Sequence, residues 1–447
     1  MGKLGEVLSH PDEFLPLVRM ARAAQKATRL PKDPDLAFCY GILNDVSRSF
    51  AIVIQQLPNP LRDAICVFYL VLRGLDTVED DMALEVSFKV PQLRSFHERI
   101  YDRGFTMACG YKHYKRLMAQ FGTVVNVFLS LEPAHQKVIA DITRRMGHGM
   151  ADFIEKEVEA VKDYDLYCHY VAGLVGIGLS QLFAASGLES PSIGSEEDLA
   201  NHMGLFLQKT NIIRDYLEDI MEEPAPRMFW PREIWGRYGP SLEHFKDPVN
   251  RKQAVQCLNH MVTDALRHLP YCLQYMKQLK HVLVFRFCAI PQIMAAGTLA
   301  LCYNNGKVFE GEMVCVVKMR RGQTAKVFET CNDMGDLYRW FIRFLEMLKT
   351  KVSVSPRCGY LAAVALPAPF PLPSGGGWEG ARPWAPGGPG GGEVDWGPMH
   401  LSVSVCLGGR CGCGWGSIAV WMVGFRLRIS MEVWRYGRRR DGGAVYE

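Results

Sequence analysis

The sequence predicts an all-α protein, built as one large helical bundle, on three observations. From about residue 36 to residue 350 the apolar side chains recur at three- and four-residue intervals, the period of helices that turn one face to a core. Alternating runs bounded by turn signals, which would mark strands, are nearly absent. Hydrophobic residues make up 48% and charged residues 22% of the 447, enough apolar surface for a substantial core.

Taken in chain order, residues 1–35 form an N-terminal segment that mixes charged and apolar residues and lacks the apolar core of a signal peptide. The helical body follows over residues 36–350. Pro58-Asn59-Pro60, the stretch from Gly187 to Gly194, and Pro224 to Pro226 are its expected breaks. Ser195 with Glu196, Glu197 and Asp198 opens the next helix, because a capping hydroxyl and early acids suit a helix N-terminus. Tyr303-Asn304-Asn305-Gly306 marks a further turn. Residues 351–447 change composition abruptly to Gly, Pro and Trp, with too few aliphatic side chains to offset the entropy of ordering, so a disordered tail is expected. Within it, the uncharged stretch from Cys411 to Phe425 is shorter than the ~20 apolar residues of a spanning helix. Cys406, Cys411 and Cys413 lack the second half of a metal knuckle.

Composition also excludes classes of function. A net charge of +4 over this length, without a basic stripe interleaved with aromatics, argues against a nucleic-acid partner. The 14 cysteines are scattered singly, as at Cys66, Cys168, Cys288 and Cys302, which points to small buried hydrophobes in a reducing compartment.

Two acidic runs carry the chemistry: Asp76-Thr77-Val78-Glu79-Asp80-Asp81 and Asp215-Tyr216-Leu217-Glu218-Asp219. Each sets Asp at i and i+4, so two carboxylates share one helical face and repel each other. Such repetition suits a hard cation with oxygen ligands, and Mg²⁺ bridging to a substrate phosphate is the expectation. Arg73 falls on the face of Asp76 and Asp80, with Glu79 beside them; Gln208, Asn211, Asp215 and Asp219 form a second stripe adjoined by Arg214 and Glu218. Carboxylates for metal and a guanidinium for bidentate contact are what a diphosphate needs. The plainer reading of either stripe is an intrahelical Arg–Asp pair. Two such helices facing each other would form a polyanion-binding mouth over an apolar interior, which suits a prenyl diphosphate.

Seven separated blocks resemble one family: Ser47-Arg48-Ser49-Phe50, Phe68 to Arg73, Asp76 to Asp81, Tyr167 to Gly176, Gly204 to Asp215, Phe287-Cys288-Ala289-Ile290-Pro291-Gln292 and Lys318-Met319-Arg320-Arg321-Gly322-Gln323. In type and order they are similar to the squalene synthases (farnesyl-diphosphate farnesyltransferases) of the phytoene/squalene synthase family, over about residues 36–350. The resemblance implies the isoprenoid-synthase bundle with a central cavity. It implies joining of two farnesyl diphosphates head-to-head through presqualene diphosphate, then reduction to squalene with NADPH, by a monomer on the cytosolic face of the endoplasmic reticulum membrane. By position it implies Asp76, Glu79, Asp80, Asp215 and Asp219 as metal ligands, and Arg48, Arg73 and Arg214 at phosphates, including those of the cofactor. Lys318 and Arg320 fall in the NADPH-associated loop, Ser47, Phe50, Gln208 and Asn211 at substrate, Tyr167 as proton acceptor and Phe287 beside the second half-reaction. Without the family, Tyr167 and the Phe285/Phe287 pair read as core aromatics, and Lys318, Arg320 and Arg321 as a solvated basic loop without an acidic partner. Gly173, Gly176 and Gly178 suit either tight helix packing or close approach of substrate. The sequence departs from the family at Phe309 to Val317, which is several residues longer than the family usually shows, and in the tail, where a hydrophobic anchor is usual. The alternatives are a phytoene- or dehydrosqualene-type synthase without reduction and a non-catalytic prenyl-lipid binder.

Overall fold

The computed structural model describes residues 9–222, 226–310 and 317–353, apart from the side chains of residues 27, 48–50 and 353. The expected tail over 351–447, but for its first three residues, and most of the long stretch from Phe309 to Val317 lie outside the described residues. Among the described residues every regular element is helical. After a 3₁₀ turn at Pro11–Glu13 come α1 (Phe14–Ala27), α2 (Pro34–Val46), α3 (Arg48–Ile54), α4 (Leu61–Asp80), α5 (Val86–Arg99), α6 (Lys112–Ala119), α7 (Phe121–Ser130), α8 (Pro133–Asp152) and α9 (Val161–Cys168). A π turn, His169–Gly173, leads into α10 (Leu174–Ala185). Then follow α11 (Glu197–Arg214), α12 (Tyr216–Ile220), α13 (Arg232–Trp235), α14 (Arg251–Leu266), α15 (Leu269–Met276), α16 (Val282–Cys302), α17 (Arg321–Thr330) and α18 (Met334–Ser353).

The breaks fall where the turn residues put them. Pro58 to Pro60 separate α3 from α4, and Tyr303 to Gly306 follow α16, with Asn304 at φ +52°. Helix α11 opens at Glu197, placing Glu197 and Asp198 against its positive end. The described cysteines are free thiols, all buried except the partly exposed Cys288.

Helix α11 is the axis of the bundle. It packs against α9, the π turn, α10, α14, α15 and α16, and is buried on every side from Met203 to Arg214. A helix enclosed in this way must pair its polar side chains internally. The run from α9 through α10, and α16, are apolar and long enough to cross a membrane, but most of their residues are buried against other helices, as core helices are.

The closest approaches are made by glycine. A Cβ on Gly176 would fall on the carbonyl oxygen of Ala200, and one on Gly204 on that of Ala172, so α10 and α11 meet backbone to backbone. Gly173 faces the Asn201 side chain and Gly178 the Phe68 ring. Of the two readings open for the glycines of Tyr167 to Gly178, the structure selects helix packing. Gly204→Ala should therefore lower stability by about 1–3 kcal/mol through overpacking, read as a lower urea midpoint with an unchanged m-value.

Candidate active site

Helix α4 is buried from Ala64 to Glu79 and ends in carboxylates. The carboxylates of Asp76, Glu79 and Asp80 lie within 4.8 Å of one another, a group able to hold a metal ion. They repel each other and also face the negative end of their own helix. Three cations offset this. Arg73 donates to Asp76 at 2.6 Å, Arg227 pairs with Glu79 and with Asp80 (2.7 Å), and Lys89 donates to the Glu79 carbonyl at 3.0 Å. Burial opposes the charge of Arg73, but Tyr69, Asp76 and Tyr114 outweigh it and raise its pKa. Arg227 is raised likewise: burial opposes its charge, and Glu79, Asp80 and the nearby Tyr167 prevail. For Lys89 burial wins, with Arg227 adding to it, and the ammonium is held below its ordinary range. Asp81 has a different task, accepting from the backbone N–H groups of Ala83 (2.9 Å) and Gly110 (2.7 Å).

The second run is a continuous helix by its spacing, but the structure interrupts it. Helix α11 stops at Arg214, Asp215 takes φ −91° and ψ 13°, and α12 starts at Tyr216. The Asp219 N–H still donates to the Asp215 carbonyl at 2.9 Å, so the i, i+4 relation survives the break. Gln208, Asn211, Asp215 and Asp219 are all buried, as the stripe predicted. Arg214 takes both carboxylate oxygens of Asp215. Gln208 Oε1 is buried without a hydrogen-bond partner among the described residues, an acceptor suited to a ligand.

One short extended segment, missed by the sequence reading, joins these parts. The Arg227 N–H donates to the Asp219 carbonyl at 3.2 Å while its guanidinium holds Glu79 and Asp80, so one residue touches both acidic runs. Phe229 stacks on Tyr167, with ring centroids 3.9 Å apart and planes 13° apart. Trp230 Nε1 donates to the Ile212 carbonyl at 3.1 Å, fixing the segment to α11. The available signal was an Arg followed by two aromatics between Pro226 and Pro231. A cleft of about 610 Å³ opens beside it, bordered by Glu79, Lys89, Phe153, Arg227 and Phe229.

Phe287 is buried against Phe183 (5.9 Å, edge-on) and lines a small apolar cavity of about 30 Å³ with Gly176, Gly204 and Leu207. Ser47 is buried at the end of α2, whereas the side chains of Arg48 and Phe50 lie outside those described. Lys318 is exposed. Arg320 caps α17 and pairs with the buried Glu13 at 2.7 Å, while Asp12 pairs with Lys326. The basic loop was read as lacking an acidic partner; the 3₁₀ turn before α1 supplies one, nearly the whole body away in sequence.

With this geometry in place, the comparisons with known proteins are informative. Residues 43–321 match the family model described as squalene/phytoene synthase.

The chain belongs to the squalene/phytoene synthase family.

It is 62% identical over 346 residues to squalene synthase LSS of Botryococcus braunii, covering 77% of this chain and 74% of that one. Against squalene synthase 1 of Arabidopsis thaliana it is 58% identical over 353 residues, covering 79% and 85%. The solved complex of TcSQS with the ligand E5700 superposes with a TM-score of 0.71 at 48% identity, over 73% of this chain and 94% of that one.

In this member of the squalene/phytoene synthase family the reverse side of α11 carries a second charged cluster. Lys209, fully buried, lies 2.5 Å from Asp165 of α9 and 2.5 Å from Asp264 of α14, under the Tyr164 ring. Arg267 pairs with both aspartates. Burial opposes the charge of Asp165, yet Lys209 and Arg267 hold its carboxyl below the ordinary value. Nearby, His202 and His268 share a hydrogen bond between their Nδ1 atoms at 2.6 Å, and burial holds His268 far below the usual histidine range. The cluster ties α11, one residue past Gln208, to the helix that carries Tyr167.

Two outcomes follow. Lys209→Met leaves the half-buried Asp165 and Asp264 with Arg267 as their remaining cation and should cost about 1–3 kcal/mol, measured by urea denaturation. For pH, His268 stays neutral when folded but takes a proton when unfolded below its ordinary 6.5, so its contribution is fully present above that pH and is lost as pH falls. Asp165 adds a loss below its ordinary 3.8, as pH falls through its depressed folded value. Urea midpoints should decline from about pH 6.5 downward, and His268→Gln should flatten the upper part of that decline.

Proposed function

We propose that this protein is a squalene synthase that couples two farnesyl diphosphates through presqualene diphosphate and reduces the product to squalene with NADPH. The observation that carries the reading is the group of buried Asp76 and Glu79 with half-buried Asp80, held by Arg227 to the second acidic run. Arg73 and Arg227 pair with these carboxylates and Lys89 bonds the Glu79 carbonyl, yet the three carboxylates still lie within 4.8 Å of one another, close enough to share a further cation. All three ligands offer hard oxygen, the donor type for Mg²⁺. When bound, Mg²⁺ neutralises charge developing on a departing diphosphate.

The residues divide the work. Asp76, Glu79 and Asp80 serve one diphosphate through metal, and Asp215 and Asp219 the other, with Arg73 and Arg214 oriented by their carboxylate partners toward phosphate oxygens. Gln208 and Asn211 position the substrate on the same stripe, and Ser47, Arg48 and Phe50 border it. The first coupling forms a cyclopropane, releasing one diphosphate and one proton. Tyr167 receives that proton: its ring is fixed by Phe229, and Arg227 beside it favours the phenolate. In the second half-reaction Phe287 would shelter the cation left by the departing diphosphate, and NADPH, when bound, would supply the hydride that balances it. Lys318 and Arg320 bind a cofactor phosphate at the N-terminus of α17, a reading supported by the pairing of Arg320 with an anionic side chain, Glu13. We further read the protein as a monomer at the cytosolic face of the endoplasmic reticulum membrane, into which its hydrocarbon product partitions.

Incubating the full chain with farnesyl diphosphate and Mg²⁺, with and without NADPH, tests the reading. Squalene should form only with NADPH, and chelation of the metal should stop both half-reactions. Dehydrosqualene as the end product in the presence of NADPH, or no turnover, would overturn it. Asp80→Asn should abolish coupling altogether. Lys318→Ala should still make presqualene diphosphate while squalene output falls, and loss of both half-reactions in that variant would contradict the cofactor role.

A further inference from the structure

Helix α1 presents an outer face that the catalytic reading does not use. Between Phe14 and Lys32 the chain carries Arg19, Arg22, Lys26, Arg29 and Lys32 and no acidic residue. Leu15, Arg19, Arg22 and Lys26 follow one another at i, i+4, i+7 and i+11, which sets them on one stripe about 17 Å long. That stripe faces solvent: Leu15 is 61% exposed and its neighbour Phe14 53%. The helix is held to the body through α17: Asp12, in the turn before α1, pairs with Lys326, and Arg19, still largely exposed on the stripe, pairs with Glu329. Among the described residues Arg22, Lys26, Arg29 and Lys32 have no carboxylate partner. Arg22, Lys26 and Arg29 instead line a surface recess of about 410 Å³ together with Gln25 and Thr28.

Cations near a helix C-terminus are favourable on their own account, since they face its negative end. That effect is confined to the last turn and explains neither Arg22 nor two large apolar side chains held in water at the other end. A row of cations, all but Arg19 without a carboxylate partner among the described residues, with apolar residues at one end matches the surface of an anionic bilayer, where basic side chains meet headgroup phosphates and apolar ones enter the acyl boundary. A nucleic acid would use the cations and leave Phe14 and Leu15 without a partner.

The geometry points to α1 as a docking surface for an anionic lipid bilayer, with headgroup phosphate in the recess of Arg22, Lys26 and Arg29 and with Leu15 and Phe14 inserted. The inference does not rest on the catalytic reading, because vesicle binding is measured without turnover. The test is sedimentation of the full chain with phosphatidylcholine vesicles, with and without one-third phosphatidylserine, at low and at high salt. Binding to the anionic vesicles should exceed binding to the neutral ones and weaken with salt. The double variant Arg22→Glu/Lys26→Glu should bind about tenfold more weakly or worse. Leu15→Ser should weaken binding at both salt concentrations, since its contribution is not electrostatic. Circular dichroism should be unchanged in both variants, and farnesyl diphosphate turnover in detergent equal to that of the parent. Equal binding to neutral vesicles, or wild-type binding by the charge-reversed variant, overturns the proposal. So does preference for an RNA oligonucleotide over the anionic vesicles.

Discussion

A buried helix that ends in three carboxylates is unfavourable twice over, through their mutual repulsion and through the partial negative charge of its own terminus. The fold around α4 is arranged to offset that. Arg73 answers from one turn back, Lys89 from α5, and Arg227 from a segment 147 residues beyond Asp80 in sequence. Because the Arg227 backbone is also bonded to Asp219, the same contact that compensates the first run fixes the second beside it. Compensation and assembly of the site are one interaction, and the neighbouring side chains Phe229 and Trp230 extend it to Tyr167 and to α11.

Helix α11 shows how a core element can carry polar side chains on two of its buried faces. On one side Gln208, Asn211 and Asp215 face the site; on the other Lys209 is enclosed by Asp165 and Asp264. Such a buried set adds little net stability compared with apolar packing, but a shift of α11 along its axis would strand the ammonium. Close approach of Gly176 and Gly204 to facing backbones narrows the same freedom. The helix is fixed in register by polar pairing behind and by glycine contact along its flank.

The pairing of Glu13 with Arg320 bears on the proposed cofactor role of the basic loop. A buried carboxylate already occupies the guanidinium, beside a glycine whose missing Cβ makes room for it. A cofactor phosphate at that position exchanges one anion for another and so gains less than it would from an unpaired cation. The N-terminal segment is thereby part of the body through ionic contacts with α17, and its outer basic face is left to solvent.

Much of this was legible in the sequence. Helical periodicity defined an all-α body, Pro, Asn and Gly defined its breaks, and the i, i+4 aspartates with Arg73, Gln208 and Asn211 gave the two stripes, because those relations depend only on helical geometry within one segment. Other features depend on which segments meet. Nothing in the local pattern near Arg227 shows that its partners are Glu79 and Asp80, nor near Arg320 that Glu13 answers it. The choice between packing and substrate contact for Gly176 needed the backbone of α11 beside it. The break at Asp215, where φ −91° and ψ 13° interrupt the helix, is likewise something spacing alone does not disclose. Local periodicity is written into successive residues, whereas charge compensation between distant segments is decided by burial, which exists only once the chain has folded.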